Sequence, residues 1–254
     1  MEVFGDYAYY YNSFYKDKDY VQEAVIVNGL LKKYAAGNVV KLFNMGCGTG
    51  RHDLELCRLG YQVHGIDLSD AMIEVAKKQV ENLKVNGVSF EVGNICSYNV
   101  QDIYDGVISL FHVISYQTDN ESLLKAFKTA ASALDCGGIF VFDAWYGPGV
   151  LSDKPGVRVK WVEDGQNILV RYANPIMHAM EDTVDVEYDV LIIDKETFVT
   201  KQIKETHRMR YLFTPHVVSL LDMAEFDLID CIDCNTLEEA DYNSWTTYFI
   251  ARKR

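Results

Sequence analysis

The sequence has no cluster of basic residues that would suit a nucleic acid. It contains 24 Lys and Arg against 37 Asp and Glu, which gives a formal net charge of −13 at pH 7. Proteins that hold DNA or RNA neutralise phosphates with grouped Lys and Arg side chains. The composition therefore argues against a nucleic-acid substrate and favours a small polar metabolite.

Long apolar runs are also missing. No stretch is long enough to cross a bilayer, and the segment Met1 to Asp6 lacks the basic region and apolar stretch of a signal peptide. The 6 cysteines are irregularly placed, which is typical of reduced thiols rather than of a disulfide framework. We therefore expect a cytoplasmic protein that does not bind membranes.

Spacings typical of metal ligands are scarce as well. Cys231 and Cys234 are separated by two residues, the spacing of redox motifs and of half a zinc site. No second pair of this kind accompanies them in the sequence, and a structural zinc site needs four ligands. We therefore expect no metal site.

What the sequence does contain is a glycine-rich turn between a predicted strand and a predicted helix. The apolar run Val39 to Phe43 precedes Gly46, Gly48 and Gly50, and apolar positions of helical spacing follow. Glycines allow positive φ and let backbone N–H groups approach a ligand closely. Taken alone, the pattern is also consistent with a plain tight turn.

An acidic residue follows the turn at an informative distance. A second apolar strand ends at Asp67, 21 residues after Gly46. A carboxylate at the tip of the neighbouring parallel strand can accept hydrogen bonds from both hydroxyls of an adenosine ribose. The order of strand, glycine turn, helix, strand and acid therefore predicts a cofactor that contains adenosine.

The rest of the chain predicts an α/β fold, because helical and strand patterns alternate. Amphipathic spacing predicts a helix over 120–134 ended by Gly137-Gly138, followed by a strand over 139–142. From 150 to 213 apolar and charged residues alternate, which predicts an antiparallel meander with one wet face. Two later strands are expected to close the sheet as an antiparallel hairpin.

Residues 1–17 are rich in aromatic side chains. These are Phe4, Tyr7, Tyr9, Tyr10, Tyr11, Phe14 and Tyr15. They can pack over the open edge of the domain, or they can form a lid that attracts a cationic ligand and excludes water. Both interpretations are open from the residues alone.

Polar and aromatic side chains follow two predicted strands, at the sheet edge where ligands bind. His112 and Tyr116 come after the fourth strand, and Trp145 and Tyr146 come after the fifth. His112 is a candidate base and Tyr116 a candidate contact for the reacting group, although both are also compatible with packing. Trp145 and Tyr146 suit the wall of a substrate pocket.

Several stretches together resemble a known family. They are the glycine turn, Tyr11 to Tyr15, Lys18 to Tyr20, Phe111 to Tyr116, Asp143 to Tyr146 and Arg210 to Phe213. The chain resembles the class I S-adenosylmethionine-dependent methyltransferases, in the branch of the amino-sugar N,N-dimethyltransferases of desosamine and mycaminose pathways. The resemblance implies a Rossmann-like seven-stranded methyltransferase sheet with an inserted antiparallel β meander, and S-adenosyl-L-methionine as cofactor.

The resemblance also implies a division of the chain. Residues 1–36 would form an aromatic N-terminal lid and a helix, and 37–149 with 214–254 would form the cofactor-binding domain. Residues 150–213 would form the inserted β subdomain. In relatives the insert is a floor or an oligomer contact below the substrate, so a homodimer can form through it.

Site residues are assigned by position in the family's motifs. The predicted cofactor-binding residues are Tyr20, Asn44, Met45, Gly46, Gly48, Gly50, Asp67, Leu68, Met72, Asn94, Ile95 and Leu110. Asn44 stands where the family usually has an acid, and Asn94 stands where an Asp often binds the adenine amino group; a turn is the alternative for Asn94. Tyr15 and Tyr116 would flank the acceptor, and His112 is the third catalytic candidate. The predicted substrate contacts are Trp145, Tyr146 and Arg210.

The function implied is N-methylation of a nucleotide-linked amino sugar. O-methylation of a surface-polysaccharide sugar or of another small phosphorylated metabolite is the alternative, and a catalytically silent cofactor-binding protein is a third. A nucleotide diphosphate would need cationic partners, for which Arg158, Arg208 and Arg210 are the candidates.

Overall fold

The computed structural model describes residues 7–254, so Phe4 of the predicted lid lies outside the described residues. Its helices are α1 (Ala8–Phe14), α2 (Tyr20–Tyr34), α3 (Arg51–Arg58), α4 (Asp70–Leu83), α5 (Asn120–Ser132), α6 (Gly147–Ser152) and α7 (Thr214–Met223), with a 3-10 turn at Val113–Tyr116. Its strands are β1 (Lys41–Met45), β2 (Gln62–Asp67), β3 (Val88–Val92), β4 (Tyr104–Ser109), β5 (Leu134–Trp145), β6 (Arg158–Asp164), β7 (Asn167–His178), β8 (Thr183–Asp194), β9 (Thr200–Arg210), β10 (Phe226–Asp233) and β11 (Thr246–Lys253).

Seven strands form one sheet in the order β10-β11-β5-β4-β1-β2-β3. Strands β1 to β5 are parallel, while β11 is antiparallel to both β5 and β10. The predicted Rossmann-like sheet and its closing hairpin are thus confirmed. Because the carboxyl ends of parallel strands share one edge, the ends of β1, β2, β4 and β5 meet there.

Helices cover both faces of this sheet, which is why its central strands are nearly continuous apolar runs. Val27 and Leu31 of α2 pack on one face. Phe127 of α5 and Leu221 of α7 pack on the other. Helix α4 begins after Ser69, whose hydroxyl accepts a hydrogen bond from the Met72 backbone at 3.2 Å.

The boundary between α5 and β5 differs from the prediction. The helix ends at Ser132 and the strand begins at Leu134, so the expectation that Gly137-Gly138 ends the helix was wrong. Strand β5 pairs with β4 at Leu134 and resumes pairing at Ile139 after a register shift. Gly137 lies in this irregular stretch with a φ of 84°, a backbone conformation that glycine adopts without steric cost.

The inserted meander is confirmed as a separate sheet of 4 antiparallel strands, in the order β6-β7-β8-β9. It lies between β5 and α7 in the chain. One face of it packs against the N-terminal helix, where Leu169, Val190 and Ile203 contact Tyr7 and Phe14. Helix α1 also contacts α4, so it lies between the insert and a helix of the parallel-sheet domain.

A search of residues 7–254 for a helix long and apolar enough to cross a bilayer finds none. Over the same residues, no three His, Cys, Asp or Glu side chains are grouped as metal ligands. All six cysteines have free thiols.

Candidate active site

The glycine turn joins β1 to α3 at the carboxyl edge of the sheet. Gly46 and Gly48 have φ angles of 86° and 54°. A Cβ on Gly46 would lie 2.3 Å from the Val113 side chain, whereas a Cβ on Gly48 would meet nothing within 4 Å. The turn therefore needs glycine at position 46 for packing, and it presents bare backbone to open space at position 48.

Asp67 ends β2 beside this turn. Its carboxylate accepts hydrogen bonds from the backbone N–H groups of Gly48 and Ser69, each at 2.9 Å. Burial raises the pKa of this carboxyl, and the two backbone donors partly offset that effect. The Asp67 side chain thus connects the glycine turn with the start of α4 and places an acidic group in the wall of a cavity.

That cavity has a volume of about 750 Å³ and lies between the parallel sheet, α1 and the inserted sheet. Most predicted site residues line it: Tyr15, Tyr20, Gly46, Gly48, Asp67, Leu68, Met72, Asn94, Ile95, Leu110, His112, Tyr116 and Trp145. A cavity of this size accommodates a drug-sized ligand. The structure therefore brings together side chains from both halves of the chain.

Five predicted site residues do not line the cavity: Asn44, Met45, Gly50, Tyr146 and Arg210. Asn44 and Met45 are buried in β1 beneath the turn. A Cβ on Gly50 would lie 2.4 Å from the Phe90 ring, so this glycine serves packing behind the turn. Tyr146 contacts the Thr214 hydroxyl at 3.1 Å, on the far side of the cavity wall.

Asn44 pairs with an unpredicted acid. Its side-chain amide donates to both carboxylate oxygens of Asp53 at 3.0 Å, and both residues are fully buried. Burial raises the pKa of Asp53 from 3.8 to about 7, despite the hydrogen bond from Asn44. A buried carboxyl group therefore sits under the glycine turn even though position 44 lacks one.

Asn94 follows β3 and faces the cavity. Its side-chain oxygen accepts a hydrogen bond from the Cys96 backbone at 2.8 Å, so the turn role left open by the sequence is present. Ile95, next in the chain, is buried and also lines the cavity.

The N-terminal helix α1 covers one side of the cavity. Tyr7, Tyr11 and Tyr15 line it from this side. The Thr49 hydroxyl donates to the Asn12 side chain at 2.8 Å, which attaches the helix to the glycine turn. The next residue, Ser13, donates to Asp164 of β6 at 2.6 Å, which attaches the same turn of the helix to the insert.

Arg171 of β7 attaches the same helix to the insert. Its guanidinium donates to the hydroxyls of Tyr7 at 2.6 Å and Tyr15 at 3.0 Å. It also lies 5.0 Å from the centroid of the Tyr188 ring, within the range of a cation–π contact. Burial raises the pKa of the Tyr7 phenol well above its ordinary value, so Tyr7 stays a neutral hydrogen-bond partner.

A second cation lies at the start of α3. Arg51 donates to the Tyr15 carbonyl oxygen at 3.2 Å, and its guanidinium lies 4.1 Å from the centroid of the Tyr20 ring. Burial raises the pKa of Tyr20, although the nearby Arg51 opposes this. Both side chains line the cavity next to Gly48.

Glu23 of α2 contacts two basic side chains, Lys18 and His52. It lies 2.6 Å from His52 Nε2 and pairs with Lys18. Burial alone would raise its pKa, but the hydrogen bonds and charges of His52 and Lys18 outweigh burial and lower the pKa to about 2. Lys18 also lies 4.0 Å from the centroid of the Phe111 ring.

His112 follows β4 in a conformation that few residues adopt. Both Phe111 and His112 have positive φ, at 67° and 65°. Two contacts to Asp143 of β5 hold this bend: the His112 backbone N–H donates to Oδ1 at 3.1 Å, and Nδ1 lies 2.9 Å from Oδ2. The ring contact is an ion-pair distance without hydrogen-bond geometry, since Nδ1 has no hydrogen-bond partner. Strained backbone of this kind concentrates at functional sites.

Tyr116 points toward the inserted sheet. Its hydroxyl lies 2.8 Å from Nδ1 of His207, and Nε2 of His207 lies 3.1 Å from Glu205. Burial raises the pKa of the Tyr116 phenol well above its ordinary value. The sequence alone did not indicate His207 or Glu205 as site residues. Both lie in the inserted meander, where the alternation of apolar and charged residues predicts only a strand.

The three basic candidates for a diphosphate lie in different places. Arg158 lines the cavity at its exposed rim. Arg208 pairs with Glu181 outside the cavity. Arg210 is buried behind the wall, where its Nε and Nη1 find no hydrogen-bond partner within the described part of the chain. Arg51 and Arg171, which the sequence did not single out, contribute further cations to the wall.

Comparison with known proteins agrees with this geometry. Residues 43–138 match the model of a methyltransferase domain. A dTDP-3-amino-3,4,6-trideoxy-alpha-D-glucopyranose N,N-dimethyltransferase from Streptomyces venezuelae is 23% identical over 87% of this chain and 86% of its own. A dTDP-4-amino-2,3,4,6-tetradeoxy-D-glucose N,N-dimethyltransferase from Saccharopolyspora spinosa is 27% identical over 59% of this chain, and the match spans only 57% of that relative.

Among solved structures, the sugar N-methyltransferase KedS8 from a Streptoalloteichus species superposes with a TM-score of 0.81. It is 21% identical, and the match covers 100% of this chain and 97% of that one. At this identity the likeness establishes the fold. With the methyltransferase domain over residues 43–138 and the sequence relatives, it indicates an S-adenosylmethionine-dependent methyltransferase that resembles the amino-sugar N,N-dimethyltransferases.

Proposed function

We propose that this protein transfers methyl groups from S-adenosyl-L-methionine to the amine of a nucleotide-linked amino sugar. One observation carries the proposal: a single cavity joins the glycine turn and Asp67 at one end to the phenols of Tyr15 and Tyr116 at the other. The first end suits an adenosyl cofactor, and the second suits a polar acceptor. The sequence relatives named above act on dTDP-linked amino sugars, which supports the choice of acceptor.

The residues at the first end fit this cofactor. Gly48 offers open space and bare backbone, and the Asp67 carboxylate is fixed by two backbone donors, which leaves lone pairs for ribose hydroxyls. Tyr20 and Arg51 lie beside the turn, where a guanidinium suits a carboxylate such as that of the methionine tail. When bound, the cofactor supplies a methyl group already activated by its sulfonium.

The chain itself has mainly to hold the acceptor in line and to exclude water. Such positioning can lower a barrier by roughly 7–11 kcal/mol. The proposed roles of Tyr15 and Tyr116 are to flank the amine, and helix α1 would cover it from solvent. The raised pKa of Tyr116 keeps the phenol neutral, so its oxygen can accept a hydrogen bond from the acceptor.

A nucleotide-linked sugar also brings a diphosphate. Arg158 at the cavity rim is our candidate for it, because it lines the cavity while its side chain stays exposed. Arg208 is a weaker candidate because Glu181 and Asp185 already pair with it. Trp145 lines the cavity between these regions and would contact the sugar.

We further propose the division of the chain that the sequence predicts: an aromatic lid with its helix, a cofactor-binding domain and an inserted β subdomain. We also propose that a homodimer forms through this insert. Val159 and Trp161 of β6 support the dimer, since they are 66% and 61% exposed. Light scattering coupled to size-exclusion chromatography of the wild type and of a Trp161→Lys variant tests it. A monomeric wild type would contradict it.

The function is tested by incubating the purified chain with S-adenosyl-L-methionine and a panel of dTDP-linked amino sugars, with mass spectrometry as the readout. We expect products heavier by one and then two methyl groups. The matched control is a dTDP-sugar with a hydroxyl in place of the amine. Methylation of that control alone would favour an O-methyltransferase, and cofactor binding without any product would favour a catalytically silent protein.

A further inference from the structure

Three side chains from two distant parts of the chain form one hydrogen-bonded line at the acceptor end of the cavity. Tyr116 belongs to the turn after β4, whereas His207 and Glu205 lie two residues apart on β9 and so share a face of that strand. The Tyr116 hydroxyl is 2.8 Å from His207 Nδ1, and His207 Nε2 is 3.1 Å from Glu205 Oε2. Tyr116 and His207 line the cavity, while Glu205 is buried behind them.

The chemistry of these groups fixes the direction of the hydrogen bonds. An ionised Glu205 carboxylate would only accept, so Nε2 of His207 would carry the proton and donate to it. The Nδ1 atom of a neutral imidazole is then an acceptor, and the Tyr116 hydroxyl donates to it. A phenol oxygen that donates its proton in this way can also accept a hydrogen bond.

Two aromatic rings and a guanidinium group lie near His207. The ring of Tyr188 on β8 lies 4.8 Å from it and that of Tyr7 on α1 lies 6.2 Å from it, both edge-on. Arg171 of β7, beyond Tyr188, donates to the phenols of Tyr7 and Tyr15. The carboxylate of Glu205, 3.1 Å from Nε2, can stabilise a proton on His207.

We infer that Tyr116, His207 and Glu205 form a proton relay that deprotonates the acceptor amine. This inference rests on the proposed function. A sugar amine is mostly an ammonium near pH 7 and cannot attack until it loses a proton. In the relay the ammonium proton moves to the Tyr116 oxygen, and the Tyr116 proton moves to Nδ1 of His207. The amine lone pair then forms the bond to the methyl carbon while the carbon–sulfur bond breaks, and its electrons stay on sulfur.

The charges balance at each step. His207 becomes an imidazolium beside the Glu205 carboxylate, and it returns its proton to water after product leaves. The methylated product is again an ammonium, so a second methylation uses the same relay. Tyr116 is the group that touches the acceptor in this arrangement, and His207 and Glu205 act through it as positioning and proton-accepting residues.

A double-mutant cycle tests the relay. His207→Gln keeps a hydrogen-bond acceptor for Tyr116 but cannot take a proton, so we expect kcat to fall roughly 10²-fold with KM for the acceptor nearly unchanged. Glu205→Gln removes the carboxylate charge and should lower kcat about tenfold. In a Tyr116→Phe background, His207→Gln should change kcat by less than about twofold, because both residues belong to one unit. Additive losses would overturn the relay.

The control is His178→Gln, which alters a comparable His–acid pair with Asp185 on the insert, outside the cavity. Its kcat should equal that of the wild type. Calorimetric titration with S-adenosylhomocysteine should give the same affinity for all variants, which separates loss of the relay from loss of folding.

A spectroscopic measurement decides the arrangement without any acceptor. A long-range ¹H–¹⁵N spectrum of the histidine rings should show His207 as the Nε2–H tautomer, with the signal assigned by its absence in His207→Gln. An Nδ1–H tautomer would overturn the relay. If the wild type methylated no acceptor, the proposed function would fail, yet the tautomer would still show whether Tyr116 donates to His207.

Discussion

The side-chain amide of Asn44 lies 3.0 Å from each carboxylate oxygen of Asp53. Residue 44 is where the family resemblance leads one to expect an acid. The acid is instead found in the first turn of α3, and the amide of Asn44 reaches across to it. Because only the amide nitrogen can donate to a carboxylate, the orientation of Asn44 is fixed, and its own oxygen has no hydrogen-bond partner within residues 7–254.

This pair makes stability depend on pH. The folded chain keeps a proton on Asp53 up to about pH 7, whereas an ordinary Asp loses it near 3.8. The folded state therefore binds more protons between these values, so stability is highest at the acid end and falls as pH rises from about 4 to about 7. We expect Asp53→Asn to abolish this fall and to raise the free energy of unfolding at pH 8 by roughly 1–3 kcal/mol.

Urea unfolding of the wild type and the variant at pH 5 and pH 8 measures the effect. Glu196→Gln, on an exposed hairpin turn of the insert, is the control and should leave both values unchanged. If the free energy of unfolding changed between pH 5 and pH 8 by the same amount in the wild type and in the variant, this account would be contradicted.

Asp67 should control cofactor affinity. An Asn at this position has only one accepting oxygen, so its amide group would face one of the two backbone donors, Gly48 or Ser69. We expect Asp67→Asn to weaken binding of S-adenosylhomocysteine by about 10- to 100-fold, the loss of a charge-assisted hydrogen bond. Isothermal titration calorimetry checks this, with Asp70→Asn, an exposed acid in the first turn of α4, as the control. Equal affinity in both variants would refute it.

His112 should matter little for an amine acceptor. Its backbone bond to Asp143 survives replacement, and in the proposed relay Tyr116 and His207, not His112, take the proton of the amine. We expect His112→Ala to lower N-methylation by less than about tenfold but to cripple methylation of a hydroxyl acceptor. Because His112 has positive φ, His112→Asn serves as a parallel variant that tolerates this backbone better. A loss of N-methylation of roughly 10²-fold or more in both variants would assign the base to His112.

Arg171 should control the covering of the site by α1. Removal of its guanidinium leaves the Tyr7 and Tyr15 hydroxyls without the donor that links them to β7. We expect Arg171→Gln to raise KM for the acceptor about tenfold and to speed amide hydrogen exchange in residues 8–14. Lys204→Gln, which breaks an exposed ion pair with Asp189 on the insert, is the matched control. Unchanged exchange in Arg171→Gln would show that the other contacts of α1, including those of Asn12, Ser13 and Phe14, hold the helix without Arg171.

The sequence by itself determined the order of the elements. The glycine turn, the acid at Asp67 and the change of period after residue 150 are local signals, and each depends on neighbours within a few residues. The boundary at Gly137 was wrong because strand pairing with β4 extends β5 back to Leu134 and overrides the local glycine signal.

Only the tertiary structure decided which side chains meet. Tyr116 and His207 are 91 residues apart, and Arg171 and Tyr7 are 164 apart, so no periodicity relates them. Their contacts depend on the register of the inserted sheet and on where α1 packs against it. Periodicity specifies which face of an element is buried, whereas the partner of a buried polar group is fixed only when all elements around it have packed.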